Sequence, residues 1–195
     1  MNRYSPSEFL KTAYSLLMTK IFFNRGRLLR RPFYMRGRKS VEGGKGLTTG
    51  RFCRYDLEGS RKTLFIGDYC EFGDMTHIVA FNKVEIGDHV LMASKCFISD
   101  TNHGSYKGEN QDSPSSVPNK RKLVSGSVRI GDRVWIGENA VVLSGADIGD
   151  GCIIGANSVV SRKIPENSIV AGNNKIIKRF NEKTRSWEAY KGTGI

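Results

Sequence analysis

The chain has 195 residues, of which 38% are hydrophobic and 22 are glycine, a composition that supports one main domain with a narrow core and many turns. Its net charge of +12 lies at the two ends, because residues 1–45 hold 11 Lys/Arg against 2 Asp/Glu and residues 161–195 hold 8 against 3, whereas residues 46–160 hold 12 against 14. Basic ends predict anionic partners, but the sequence has no aromatic-interleaved basic motif or recognition helix, so nucleic acid is not expected among them.

Residues 5–23 carry the signals of an α-helix. Ser5 is a suitable N-cap, Pro6 suits the first helical position, and Glu8 completes an S-x-x-E capping box. An apolar face follows at helical spacing, formed by Leu10, Tyr14, Leu17, Met18, Ile21 and Phe22. With the basic residues after it, this helix forms a basic helical cap over residues 1–45. It is expected to cover the open strand edge of the domain that follows; a peripheral membrane contact, through arginines that meet acidic lipid heads, is the alternative and is compatible with that cap.

The sequence gives no sign of export or of a membrane span. No signal peptide is visible at the N-terminus, where lysines interrupt the apolar residues. No apolar run approaches the roughly 18 residues that a spanning helix needs. We therefore expect a cytoplasmic protein.

The middle of the chain has a period of six residues. Branched apolar residues recur at Ile130, Ile136, Val142, Ile148, Ile154 and Val160. A period of six is neither helical nor that of a two-faced strand, so it predicts a repeat architecture. The interpretation is an all-β parallel solenoid over residues 46–170, with three short faces to a coil of about eighteen residues. Branched side chains then point inward, and the glycines that follow them permit backbone conformations that a side chain would hinder.

The marker Ile-Gly-Asp recurs with uneven spacing. It begins at Ile66, Ile86, Ile130 and Ile148, so the spacings are 20, 44 and 18. The spacing of 18 is one coil, and the spacing of 20 predicts a two-residue bulge near residues 80–83. The spacing of 44 exceeds one coil by 26 and predicts an inserted loop over residues 100–125. Such a loop at a solenoid corner is usually functional; the alternative is a disordered surface loop.

Four cysteines lie at positions 53, 70, 96 and 152, without C-x-x-C pairing or metal-ligand spacing. Three of them, Cys70, Cys96 and Cys152, fall at the small interior position of the repeat. We therefore expect buried, reduced thiols rather than a disulfide, a catalytic thiol or a metal site.

Residues 171–195 form the last segment. Lys175-Ile176-Ile177-Lys178-Arg179 alternates like a final strand. A short C-terminal helix is expected from Phe180 to Trp187.

Several segments resemble hexapeptide-repeat acyltransferases. They are the six-residue repeat, Val134-Trp135-Ile136-Gly137, the loop opening Asn102-His103-Gly104, and the ending Ile154-Gly155-Ala156-Asn157-Ser158-Val159-Val160 with Ile164-Pro165. The family includes the maltose and galactoside O-acetyltransferases, and the sequence looks most similar to bacterial O-acetyltransferases of surface polysaccharide, such as O-antigen and colanic acid. The resemblance implies a left-handed parallel β-helix and a homotrimer with active sites between subunits.

The resemblance places the catalytic histidine at His103. An imidazole can take the proton of a sugar hydroxyl as it attacks a thioester and return it to the leaving thiolate, so the transfer is direct. Asp100 either orients this imidazole or turns the loop. An amide in the 135–138 corner is expected to hold the oxyanion.

Acetyl-CoA is the implied co-substrate, and the family pattern assigns its contacts. They are Trp135, Gly137, Glu138, Gly155, Ala156, Ser161, Arg162, Lys175 and Lys178. The acceptor is placed near Gly73 and Asp74, and His77 could approach it. The three histidines do not match the zinc site known on this fold, so no metal is expected.

We therefore expect an acetyl-CoA-dependent O-acetyltransferase that acts on a sugar hydroxyl of a surface-polysaccharide precursor, lipid-linked or nucleotide-linked. The acceptor region of the disaccharide enzymes is not recognisable, which argues against a free disaccharide. The alternatives are an acetyltransferase for another small hydroxyl or amine, and a non-enzymatic solenoid that binds polyanions.

Overall fold

The computed structural model describes residues 5–190 and 192, and in them one α-helix and 23 short strands. Helix α1 spans Pro6–Phe22, and two 3₁₀ turns span Arg38–Ser40 and Pro118–Lys120. The strands form a solenoid of stacked triangular coils, in which each coil contributes one strand to each of three parallel sheets. We call these sheets the first, second and third faces.

Each face is a ladder of strands from successive coils. The first face contains β1 (Leu28–Leu29), β4 (Thr48–Thr49), β7 (Glu71–Phe72), β10 (Leu91–Met92), β15 (Trp135–Ile136), β18 (Ile153–Ile154) and β21 (Ser168–Ala171). The second contains β2 (Phe33–Arg36), β5 (Cys53–Leu57), β8 (His77–Ala80), β11 (Phe97–Ser99), β16 (Val141–Leu143) and β19 (Val159–Val160). The third contains β3 (Val41–Gly43), β6 (Leu64–Ile66), β9 (Lys83–Ile86), β14 (Ser127–Ile130), β17 (Asp147–Ile148) and β20 (Lys163–Ile164).

The register of the third face confirms the predicted repeat. Ile66 pairs with Ile86, Ile86 with Ile130, and Ile130 with Ile148 in parallel strands, so the Ile-Gly-Asp markers lie above one another. All four side chains are buried in a continuous core. The inserted residues therefore leave the stacking of the coils intact. The four cysteines are free and buried in the same core, as expected.

The glycine of the marker is required by close packing and not by its backbone conformation, which corrects the sequence interpretation. A Cβ on Gly131 would lie 2.2 Å from Asp150 Oδ1 and 2.8 Å from the Asp150 nitrogen. The left-handed conformation falls two residues later, as at Arg133 with a φ of 55° and His89 with 56°. Glycine is therefore needed where the next coil approaches the backbone.

The first coil starts earlier than the expected boundary at residue 46. Strands β1, β2 and β3 lie between residues 28 and 43, and each pairs in parallel with the coil that follows. They lack the Ile-Gly-Asp marker, which is why their phase is not visible in the sequence. The N-terminal cap is thus helix α1 alone, followed directly by solenoid.

Helix α1 begins with the predicted capping box between Ser5 and Glu8. It covers the edge strand β1 through hydroxyl groups: the Leu29 amide donates to Thr19 Oγ1 at 2.8 Å and the Arg31 amide donates to Ser15 Oγ at 3.1 Å. These bonds satisfy donors that an open sheet edge would leave unpaired. Within the described residues, no helix is long and apolar enough to cross a bilayer.

The expected C-terminal helix is wrong, because residues 175–189 form an antiparallel hairpin. Strand β22 (Lys175–Asn181) pairs with β21 and with β23 (Ser186–Ala189). Asn181 Oδ1 accepts hydrogen bonds from the Lys183 and Thr184 amides and so closes the turn. Phe180 and Trp187 then pack edge to face across the hairpin, with ring centroids 5.4 Å apart. The spacing of these two aromatics fits a helix, but the asparagine turn decides the structure.

Candidate active site

The 26-residue insertion forms an ordered arm between the second and third faces. Strand β12 (Thr101–His103) pairs antiparallel with β13 (Leu123–Ser125), and His103 is opposite Leu123. We call residues 100–126 the arm. It leaves the solenoid after β11 and returns to it at β14. The base of the arm is therefore a paired hairpin, which favours a structured insertion.

Asp100 fastens the base of the arm to the coil below it. The residue is fully buried, and its carboxylate accepts hydrogen bonds from the amides of Phe81, Asn82 and Lys83 and from the Thr101 hydroxyl, at 2.6–3.1 Å. Phe81 and Asn82 form the predicted two-residue bulge between β8 and β9, and Lys83 is the first residue of β9. The contacts of Asp100 are those of a turn-forming aspartate, and none of them is with the imidazole of His103.

The outer part of the arm is held by Arg121. Its guanidinium donates to the hydroxyl of Tyr106 at 2.6 Å and to the carbonyl of Ser116 at 2.8 Å. The Tyr106 hydroxyl in turn donates to the carbonyl oxygen of His103. The backbone of His103 is therefore fixed from both strands and from the tip. Its side chain is exposed and makes no hydrogen bond to any described residue, which leaves both ring nitrogens free for a substrate.

The corner between the first and second faces collects most of the predicted coenzyme contacts, and we call it the first corner. Gly137 and Glu138 lie there in one coil, and Gly155 and Ala156 lie directly beside them in the next. Gly73 and Asp74 lie on the same corner two coils earlier. A Cβ on Gly137 would lie 2.6 Å from the Ala156 nitrogen, so the coils pack there without side chains between them. Trp135 projects, half exposed, from the adjoining strand.

The first corner also leaves backbone donors free. At the corner between the third and first faces, Asp88, Asp132 and Asp150 each accept the amide of the preceding coil through Oδ1, at 2.6–3.1 Å. The first corner has one such bond, from the Arg51 amide to Asp74. Its later coils have Ser94, Glu138 and Ala156 at the equivalent position, and the amide of Glu138 has no acceptor among the described residues. Free backbone N–H groups of this kind can donate hydrogen bonds to the carbonyl oxygen of a thioester.

In a single chain, His103 and the first corner lie at opposite edges of the second face. The arm leaves from the edge after β11, whereas Glu138 and Ala156 precede β16 and β19. The whole width of that sheet separates them. The structure therefore does not bring the predicted base and the predicted coenzyme corner together within one chain.

The remaining predicted coenzyme contacts form a basic group near the end of the solenoid. The Ser161 amide donates to Asn174 Oδ1 at 2.8 Å, and the Arg162 guanidinium donates to the Asn174 carbonyl at 2.7 Å. Lys175 and Lys178 follow on β22 and are exposed. This brings Ser161, Arg162 and Lys175 together around one asparagine, although their sequence positions are far apart.

A hexapeptide-repeat model described as bacterial transferase hexapeptide (six repeats) matches residues 127–162. WbbJ of Escherichia coli (strain K12), which is named for O-acetyl transfer in lipopolysaccharide biosynthesis, is 43% identical over 188 residues, 95% of each chain. The chain belongs to the hexapeptide-repeat acyltransferases. Among solved structures, AntD from Bacillus cereus, an N-acyltransferase in complex with dTDP and 3-hydroxybutyryl-CoA, has a TM-score of 0.66 at 20% identity over 94% of this chain and 93% of that chain. A galactoside acetyltransferase in complex with coenzyme A has a TM-score of 0.51 at 22% identity over 97% and 80%; these two likenesses show the fold.

Family membership confirms the expected enzyme class, an acyltransferase that uses acetyl-CoA. This hexapeptide-repeat acyltransferase also contains a group that the sequence did not reveal. Asp56 on β5 accepts hydrogen bonds from Arg36, Arg54 and the His77 ring at 2.6–3.0 Å. Burial alone would raise the pKa of Asp56, but these three partners lower it to about 2. The sequence alone could not predict this group, because its residues come from three different coils.

The other predicted positions are accounted for by the fold. Gly73 is packed against the backbone of Ala93 and Ser94, and His89 is exposed and stacks on Tyr69 with ring centroids 5.6 Å apart. No three His, Cys, Asp or Glu side chains are grouped as metal ligands would be in residues 5–190 and 192.

Proposed function

We propose that the protein transfers the acetyl group of acetyl-CoA to a sugar hydroxyl of a surface-polysaccharide precursor. The observation that carries this proposal is the similarity to WbbJ, at 43% identity over 95% of each chain. The reaction class follows from the family, whereas the acceptor and the roles of individual residues are inferred from the geometry.

His103 is the general base in this proposal. One imidazole nitrogen accepts the hydroxyl proton as the sugar oxygen attacks the thioester carbon. The carbon–sulfur bond then breaks, and the same proton passes from the imidazolium to the thiolate of CoA. An acetyl ester and free CoA leave, and the histidine returns neutral, so no acyl-enzyme forms. The exposed ring without an intramolecular partner suits this role, because an incoming hydroxyl can bind it directly.

The separation of the two halves of the site supports an intersubunit active site. His103 lies at one edge of the second face and the free amides of the first corner lie at the other. In a cyclic trimer, each subunit can offer the arm to one neighbour and the first corner to the other. We therefore propose a homotrimer with three sites, each built from the arm of one subunit and the first corner of the next.

The free amide of Glu138 is the proposed oxyanion donor. It lies where the coils pack without side chains, so a flat thioester can approach the backbone closely. Removal of one oxyanion donor typically costs 10²–10³ in kcat. The basic group of Arg162, Lys175 and Lys178 is proposed to meet the phosphates of the coenzyme, since charge-assisted hydrogen bonds favour such cations.

The acceptor is proposed to bind near Asp56 and His77 on the second face, towards the first corner, where the arm of the neighbouring subunit would meet it. The His77 ring is held by Asp56 at 3.0 Å and tilts against Phe97, with ring centroids 5.2 Å apart. Gly73 and Asp74 precede the same strand. A lipid-linked or nucleotide-linked sugar is the proposed acceptor, which places the reaction on the cytoplasmic side, where acetyl-CoA is the donor.

The acceptor class is tested by measuring acceptor-dependent release of CoA from acetyl-CoA, with mass spectrometry of the product. The panel contains nucleotide sugars, lipid-linked oligosaccharides, free disaccharides and amino sugars. We expect acetyl esters on a lipid-linked or nucleotide-linked sugar. Acetylation of an amine alone would replace the proposal by N-acyl transfer. Binding of polyanions without any turnover would replace it by a scaffold role.

The oxyanion assignment is tested by Ala156→Asn. Asparagine at this position can accept the Glu138 amide, as Asp150 accepts that of Asp132 in the same coils. The fold should be preserved, whereas kcat should fall by about 10²–10³ because the donor is occupied. Arg133→Asn, at an exposed turn of the other corner, is the matched control and should leave kcat unchanged. Equal kcat in both variants would contradict the assignment.

A further inference from the structure

Helix α1 packs on the solenoid through its polar side chains and exposes its apolar ones. Ser15 and Thr19 are 3% and 1% exposed and are its buried residues. Met18 is half-buried, whereas the other large apolar side chains are 45–68% exposed, namely Phe9, Leu10, Tyr14, Leu16, Leu17, Ile21 and Phe22. This reverses the orientation of an ordinary amphipathic surface helix. The predicted cap therefore exists, but its apolar face is not the part that caps.

The exposed apolar surface is too broad for one partner helix. At 100° per residue, these side chains cover about 240° of the helix circumference, from Leu16 round to Phe22. A paired helix covers only a narrow seam, and coiled coils need about three to four heptads. Helix α1 has 17 residues, which is about two heptads. A helix with so broad an exposed apolar surface, interrupted only by Lys11 and Lys20, suits the interface of a bilayer, where apolar side chains enter the acyl chains and lysines reach the headgroups.

The charges around the helix select the kind of bilayer. Residues 5–40 contain 9 Lys/Arg against 1 Glu, and that Glu8 is occupied in the capping box. Lys11 and Lys20 lie within the arc of exposed apolar side chains, near its two ends, and both are exposed, with the Lys20 ammonium donating to the Gly26 carbonyl at 3.2 Å. Arg25 and Arg38 are exposed near the C-terminal end of the helix. Long basic side chains in such positions can reach lipid headgroups while their stems contact apolar surface.

We propose that α1 is a peripheral membrane anchor, which lies in the headgroup region of an anionic bilayer with Leu10, Leu17 and Ile21 among the acyl chains. The helix then serves two surfaces at once, because Ser15 and Thr19 remain on the edge strand of the solenoid. In a cyclic trimer the three copies of α1 lie at the same height along the axis, so they bind one flat membrane together. This inference does not depend on the acceptor or on the role of His103.

The test is co-sedimentation of the full chain with vesicles of phosphatidylcholine, with and without phosphatidylglycerol. We expect binding to the anionic vesicles that weakens with salt. The double variant Leu10→Gln/Leu17→Gln should bind at least 10-fold more weakly, since each buried leucine side chain favours the apolar phase by about one order of magnitude or more. Lys11→Gln/Arg25→Gln should lose binding mainly to the anionic vesicles.

The matched control is Leu91→Gln/Val117→Gln, which removes two apolar side chains of similar exposure from the solenoid and the arm. Its affinity for vesicles should stay within about twofold of that of the wild type, because membrane affinity depends on the apolar area of α1 that enters the bilayer. The mass of each variant is measured without vesicles. No binding of the wild type to anionic vesicles would overturn the proposal, as would equal binding by Leu10→Gln/Leu17→Gln and Leu91→Gln/Val117→Gln. A change in oligomeric mass caused by Leu10→Gln/Leu17→Gln would show instead that a second copy covers this surface.

Discussion

The attachment of the arm depends on one buried carboxylate, so Asp100→Asn should destabilise the fold. Asp100 accepts from three amides and one hydroxyl and has no exposed surface. Loss of the charge weakens these bonds from about 1.5–3 kcal/mol toward 1 kcal/mol each, and the new amide group leaves one buried donor unsatisfied at about 1–3 kcal/mol. The lower ends of these ranges sum to about 3 kcal/mol, so we expect a loss of at least about 3 kcal/mol, which corresponds to roughly 6 °C or more in Tm for a chain of this size.

The assay is differential scanning calorimetry at one fixed protein concentration. Asp147→Asn is the control, because that carboxylate is 40% exposed and pairs with Arg129 at the surface, 3.1 Å away. Its loss should cost less than about 1 kcal/mol. Hydrogen exchange of the Phe81–Lys83 amides should accelerate in Asp100→Asn only. A Tm for Asp100→Asn as close to the wild type as that of Asp147→Asn would refute the reasoning.

Three further predictions concern packing, thiols and charge. Gly131→Ala should lower the free energy of unfolding in urea by about 3 kcal/mol or more, because its Cβ would overlap the next coil. Gly108→Ala has nothing within 4 Å of the added Cβ and should cost only about 1 kcal/mol, for its positive φ. Equal costs would contradict the packing argument. Burial raises the pKa of Cys53, Cys70 and Cys96 to about 11 and also raises that of Cys152. A thiol reagent at pH 8 should therefore label none of the four before the protein unfolds. A thiol that reacts quickly would show that the core is open. Hydrogen bonds lower the pKa of Asp56 to about 2, against about 3.9 in the unfolded chain. The free energies of unfolding of wild type and Asp56→Asn should therefore differ by about 1–2 kcal/mol at pH 7 and converge as the pH falls from 4 toward 2. A difference that stays constant with pH would argue against this.

The six-residue period was sufficient to predict the solenoid, because each coil repeats one pattern of inward and corner residues. It fixed the stacking of Ile130 on Ile148 and the insertion after β11, which both follow from counting residues. It could not phase the first coil, where β1, β2 and β3 lack the marker. The repeat also misled on glycine, since close approach of the next coil cannot be seen within one chain segment.

The helices show the limits of periodicity more sharply. The spacing of Leu10, Leu17 and Ile21 correctly predicted a helix but not the face that docks, because two hydroxyl groups bind the strand edge instead. Phe180 and Trp187 fit helical spacing as well, but a single asparagine turn makes a hairpin. Contacts between neighbouring coils, such as that of Asp56 with His77, join residues 21 positions apart and leave no local signal in the sequence.

The central claim is that the exposed imidazole of His103 removes the hydroxyl proton. We would measure acceptor-dependent CoA release for wild type, His103→Ala and His89→Ala, the last being an exposed histidine that stacks on Tyr69 outside the proposed site. His103→Ala should lose about two to four orders of magnitude in kcat with unchanged Tm, and His89→Ala should keep full activity. Turnover that survives in His103→Ala would contradict the account, and the general base would have to be sought elsewhere.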